Sequence, residues 1–198
     1  QYICFNQQNE DGEWQNQYEE EVEKTEVVKS VKVTENAENT NAYASGKIYD
    51  SDDTTSDVNI EVSVLAFPAD TLARMRAEVV DAGGLHLSGG KGEKPYFAYG
   101  KVVKLKRNNV RFEWYPKCKL AENSDEIATR EDKFSEQTDT ITIIAYPFNN
   151  NDDIRAYVDS SASNFPTGLT EDLFFAKPIL TPADLKAAIP TTQSEEEQ

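Results

Sequence analysis

Apolar residues recur at every second position through much of this chain, the period of a strand with one face buried. Val58-Asn59-Ile60-Glu61-Val62-Ser63-Val64 is the cleanest case, with Asn59, Glu61 and Ser63 opposite the apolar face. Val27 to Thr34 alternates likewise, placing Val31 and Val33 opposite Ser30, Lys32 and Thr34. Tyr96 to Arg107 and Val110 to Leu120 read as a hairpin turning at Asn108-Asn109, residues suited to positive backbone angles. In its second strand Val110, Phe112 and Trp114 share the core face, and Arg111, Glu113 and Tyr115 the other. Asp139 to Tyr146 and Ile154 to Val158, the latter after a turn at Asn149 to Asp153, add two strands. Tyr2 to Phe5 opens the chain as a hairpin through Asp11-Gly12, returning along Trp14 to Tyr18.

Helical spacing is rare. Pro68 starts a helix over Ala69 to Val80 that presents Leu72, Met75, Val79 and Val80 and is ended by Asp81-Ala82-Gly83-Gly84. Thr181-Pro182-Ala183-Asp184 begins a last short helix reaching about Ala188. The expected fold is mainly β, with a β domain over 1–159 and a C-terminal arm with acidic tail over 160–198. Within that arm Phe165-Pro166, Leu173-Phe174-Phe175 and Pro178-Ile179-Leu180 are separated apolar patches able to pack on the body. Thr191 to Gln198 is expected to be disordered. Glu35 to Asp57, rich in Asn, Asp, Ser and Thr, reads as a long projecting hairpin or loop. Such an element is either a contact surface or simply solvated, and the sequence leaves both open.

Composition narrows the function classes. The 198 residues carry 20 Lys and Arg against 36 Asp and Glu, a formal net charge of −16, which disfavours binding that depends on neutralising phosphates. Nine Tyr, nine Phe and two Trp against one Met favour sheet over helical bundle. Cys4 and Cys118 make neither a disulfide framework nor a zinc knuckle, so a reducing interior is expected. No apolar run approaches the roughly 20 residues of a membrane span, and no basic stretch followed by an apolar one opens the chain. A soluble, unsecreted protein is expected, and because Gln1 begins inside a strand, a short native segment is expected before it.

Candidate chemistry is sparse. His86 is the sole histidine, and no nucleophile signature surrounds either cysteine or any serine. One imidazole and two distant thiols do not make a zinc site, and pairs such as Asp52-Asp53 and Asp152-Asp153 lack the spacing of a calcium loop. Ser88-Gly89-Gly90-Lys91-Gly92 superficially resembles a phosphate loop, but Gly92 and Glu93 stand where it requires Ser or Thr and a helix. No enzyme activity, cofactor or metal is expected.

From Ala42 to Pro147, about half of the chain, an order of features resembles the major tail proteins of phages with long non-contractile tails, the phi13-type family. Tyr43-Ala44-Ser45-Gly46-Lys47 precedes an acidic stretch, Val58-Asn59-Ile60-Glu61-Val62 leads to Leu72-Ala73, and Gly83-Gly84 and the glycine loop follow. Pro95-Tyr96-Phe97-Ala98-Tyr99-Gly100, Tyr115-Pro116-Lys117-Cys118-Lys119-Leu120 and Asp139-Thr140-Ile141-Thr142-Ile143 complete the series, whereas the acidic run Glu19 to Glu26 has no counterpart. The resemblance implies a β-sandwich or barrel of the tail-tube type with one short flanking helix, a long projecting loop and extended terminal arms. It implies six copies forming a ring and rings stacking into a virion tail tube, assembled in the host bacterial cytoplasm. Partners would be the chain itself, a tape-measure protein, and tail-tip and terminator proteins, with no membrane. Genome DNA would traverse the lumen without specific binding. Tyr43, Ile48 and Tyr49 would make inter-ring contacts, and Glu61 and Glu113 are candidates for an acidic lumen wall. The competing reading is a monomeric β-sandwich module binding carbohydrate or a receptor through Trp14, Trp114 and tyrosines, with an acidic hydrolase third.

Overall fold

A computed structural model describes residues 1–26, 28–44, 47–65, 67–90, 92–126 and 138–190, leaving the side chains of 37–44, 47–55, 123–126 and 138 outside that description. The chain is mainly β. In order the elements are β1 (Tyr2–Phe5), β2 (Glu23–Lys24), β3 (Val28–Ala44), β4 (Lys47–Val64), α1 (Ala69–Met75), β5 (Val79–Val80), β6 (His86–Leu87), β7 (Phe97–Lys104), β8 (Val110–Glu126), β9 (Thr138–Ala145), β10 (Ala156–Asp159), α2 (Glu171–Phe174) and α3 (Pro182–Ala188).

One antiparallel sheet runs β2-β1-β7-β8-β9-β4-β3, with β10 also pairing β8, while β5 and β6 form a separate two-stranded ribbon. Strands at the usual spacing would set β2 and β3 about 29 Å apart if the sheet were flat. The chain from Lys24 to Val28, however, reaches at most about 14 Å. The sheet must therefore curl until its two edges approach. The curl encloses one core, built from Ile3, Phe5, Ile60, Val62, Phe97, Tyr99, Tyr115, Ile141 and Ile143, with Met75 of α1 packed into it.

The opposite face of β1, β7 and β8 carries a second core of Tyr2, Cys4, Ala98, Phe112 and Trp114, covered by Leu169, Phe174, Phe175 and Ile179. That is why Tyr2–Phe5 is apolar without alternation: β1 is buried on both faces. It also explains the small residues on one side of β7. A Cβ on Gly100 would stand 2.8 Å from the Phe175 ring and 2.9 Å from that of Trp114. In β8 the alternation is reset by a bulge, with Phe97 opposite Cys118 and Tyr99 opposite Tyr115, so Tyr115 and Cys118 face the same core although three positions apart.

Among the described residues neither terminal segment is an extended arm. Phe175 stacks on Tyr2 with ring centroids 3.9 Å apart and lies 5.2 Å from Trp114, whose Nε1 donates to the Phe174 carbonyl at 3.1 Å. Residues 160–190 thus fold back on their own sheet, because the apolar patches spaced along them match the second face of β1, β7 and β8. Thr181 and Asp184 cap α3 reciprocally, as their spacing and the following Pro182 suggest. The acidic tail 191–198 lies outside the described residues.

Three local expectations are corrected. The opening hairpin turns at Asn9 to Gly12, but its regular return strand is Glu23–Lys24, with a single bridge between Asn6 and Tyr18. The turn between β7 and β8 centres on Arg107 and Asn108, φ 61° and 58°, one residue earlier than the Asn pair. The helix expected over 69–80 stops at Met75. Ala77 (φ 54°) is left-handed, its N–H bonds the Arg74 carbonyl, and the Glu78 N–H bonds that of Ala73, which is a Schellman ending. Val79 and Val80 therefore lie not on a helix but in the β5–β6 ribbon. A Cβ in the left-handed region is unfavourable by about 1 kcal/mol, so Ala77→Gly is expected to raise the unfolding free energy by about that amount in urea titration.

Candidate assembly surfaces

β4 bonds β9 only over Val58–Val64, whereas its pairing with β3 continues from there outward to Ala44 opposite Lys47. From Asn36 to Ala44 the two strands therefore leave the sheet as a ribbon about 30 Å long at the usual rise per residue. The segment that sequence left between hairpin and loop is a hairpin. Tyr43 is paired with Ile48, and Tyr49 lies in the same returning strand. The side chains of these three contact candidates lie outside the described residues. An uncovered two-stranded ribbon is marginal by itself in water, so a ribbon of this reach is suited to completion by another surface.

β3 is also an edge strand, hydrogen-bonded to β4 and, among the described residues, to no strand on its other side. Open N–H and C=O groups along such an edge are a template for pairing with another chain. On the outward face beside it Glu61 is exposed, as its alternation predicts, with Oε2 3.3 Å from Lys32 Nζ on the neighbouring strand. Ser63 and Thr140 continue that polar face at 3.1 Å.

Glu113 is different. It is 2% exposed, with its carboxylate 2.9 Å from Lys101 Nζ and 3.7 Å from Arg111 Nη1, and it accepts from the Tyr115 hydroxyl at 3.4 Å. Cross-strand register places Lys101 directly opposite. A carboxylate so enclosed does not face a lumen, which removes Glu113 from the wall candidates. The curl of the sheet covers the face that alternation assigned to solvent. Trp114 likewise is fully buried and unavailable as a surface platform, whereas Trp14 is half-buried beneath Lys117, whose Nζ lies 5.4 Å from its ring.

Sequence reading missed one surface altogether. Val79, Val80, Leu85 and Leu87 are all exposed on the β5–β6 ribbon, held at its base by Arg76–Glu78 at 3.2 Å and by His86 Nδ1 3.5 Å from Glu78. The signal was present in Val79-Val80 followed by Gly83-Gly84, a β-branched pair before a turn. Four large aliphatics clustered in the open make this ribbon a candidate contact surface.

No protein-family model and no curated protein matches the chain.

Neither cysteine is set up as a nucleophile. Both thiols are free and buried. Burial pushes the Cys4 thiol up to about 12 and the Cys118 thiol upward as well, away from the thiolate a nucleophile requires. Among the described residues no cluster of three His, Cys, Asp or Glu side chains is placed to hold a metal ion, and no helix is long and apolar enough to cross a membrane.

Proposed function

We propose that the chain is a structural subunit that works by polymerising: six copies close into a ring, and stacked rings form the tail tube of a long-tailed bacteriophage. The observation that carries this reading is the β3–β4 ribbon, which continues past the body from a strand that is already a sheet edge. One lateral contact that closes by rotation and one axial contact that does not are what a tube of rings requires. The open edge of β3 suits the first, and the ribbon, carrying Tyr43, Ile48 and Tyr49 near its tip, suits the second. The resemblance of residues 42–147 to phage major tail proteins points the same way.

Glu61 remains the candidate for a wall that keeps DNA from adhering, although Lys32 beside it offsets part of its charge. A tape-measure protein and then genome DNA would occupy the lumen, with tail-tip and terminator proteins at the ends of the tube. Negative-stain electron microscopy of purified protein tests the reading, with rings or hollow tubes expected. Deleting 41–56 should leave a folded subunit that no longer stacks; tubes formed as before would reject the ribbon's role.

A further inference from the structure

The β5–β6 ribbon holds Val79, Val80, Leu85 and Leu87 in the open, each between 47% and 65% exposed. Val79 stands directly opposite Leu87, so the two share a face, and Leu85, two positions from Leu87, continues it. Among the described residues neither strand of the ribbon has a second partner, so both of its edges keep free N–H and C=O groups. A two-stranded ribbon this short is not stable by itself in water, and a clustered apolar face on it calls for a cover.

A complementary groove lies elsewhere on the chain. It measures about 230 Å³ and is lined by Ala156 and Val158 of β10 together with Phe174, Ile179, Leu180 and Leu185. That is below the roughly 300–1,000 Å³ of small-molecule pockets, but a cavity of about 150 Å³ admits benzene, so the groove has room for about two aliphatic side chains. Among the described residues β10 pairs only with β8, which leaves its other edge open. The charges match as well. The Asp81 carboxylate at the ribbon's turn binds only the Gly83 and Leu85 N–H groups, both at 2.8 Å, and exposed Lys186, beside Leu185 on α3, has no carboxylate partner among the described residues. One chain does not join the two features. The ribbon springs from the end of α1, whose Met75 packs inside the curl, whereas the groove opens among segments that cover the opposite face of the sheet.

We infer that the β5–β6 ribbon of one copy seats in this groove of a second copy, with its Val79–Leu87 face turned inward and one of its strands added along β10. Strand addition gives two open edges their hydrogen bonds, burial takes the aliphatics out of water, and Asp81 is drawn toward Lys186. Ribbon and groove are different surfaces of the same chain, so the contact is head-to-tail and either closes into a ring or runs on as a filament. The inference rests on the reading of the chain as a polymerising subunit and adds to it a contact separate from the β3 edge and the β3–β4 ribbon.

Sedimentation velocity of the full chain tests it with two variants, each checked for folding by thermal unfolding. Leu85→Asp with Leu87→Asp disables the ribbon and leaves the groove; Ala156→Phe fills the groove and leaves the ribbon, with Leu180→Lys in its place should that variant not fold. Each is expected to associate about tenfold more weakly than the parent. Their mixture should give a one-to-one pair, because one intact ribbon still meets one intact groove. Folded variants that associate as the parent does, or a mixture in which no pair forms, would overturn the inference even if the parent builds tubes. A paired mixture beside a parent that never forms rings would uphold the contact and remove the ring-and-tube reading alone.

Discussion

A chain ended after Asp159 is expected to be unfolded at room temperature, because residues 160–190 are the cover of a core rather than an appendage. Phe174, Phe175, Ile179 and Leu169 are all buried there. Each contributes roughly 1.5–3 kcal/mol by leaving water, and together they rival the roughly 5–15 kcal/mol by which a domain is stable at all. Their loss would also lay open Tyr2, Ala98, Phe112 and Trp114 on the second face of the sheet. Phe175→Ala is the point version. Its ring stacks on Tyr2 and meets Phe112, Trp114 and Phe174 edge-on, and Gly100 is kept bare to admit it. A cost of about 3–5 kcal/mol is expected in urea unfolding followed by tryptophan fluorescence. A truncated chain that unfolds at the same denaturant midpoint as the whole would restore the arm reading.

Glu113→Ala is expected to destabilise by about 3 kcal/mol without any change in hydrophobic burial, since it strands Lys101 inside the curl without its counter-charge. Arg111 is relieved by Asp159 at 2.9 Å and by exposure of about a third of its side chain, which holds the figure to the lower part of the range for a broken buried pair. The physical signature is recovery. Replacing both partners, Glu113→Leu with Lys101→Met, should regain most of the loss, because a buried ion pair exchanged for well-packed apolar groups is often neutral or better. Chemical denaturation of the two single variants and the double variant gives the coupling directly. A single variant as stable as the parent would return Glu113 to the solvent side.

Much of the fold was legible because one physical signal, alternation, is local. Val58 to Val64 and Ile141 to Ala145 bury the side chains that their period of two assigns inward, and Thr181 with Asp184 caps a helix where the spacing places one. The errors arose where a local pattern had two readings. Leu72, Met75, Val79 and Val80 fit a helical stripe, yet the left-handed backbone at Ala77 ends the helix and turns the last two outward. Glu61 and Glu113 stand on equally polar-looking faces, yet one is open and the other enclosed. Tyr43, Ile48 and Tyr49 were identified as a group within a polar stretch, and the structure adds that this stretch is a paired ribbon.

By itself the sequence determined the longer strands, most of their apolar faces, several turns and the excess of negative charge, since each depends on neighbours within a few residues. The tertiary structure decided which faces are covered twice, that residues 160–190 close the second core, and that Glu113 is enclosed while Glu61 is open. Those outcomes depend on curl, register and the meeting of segments more than a hundred residues apart, none of which has a period that a linear pattern can carry.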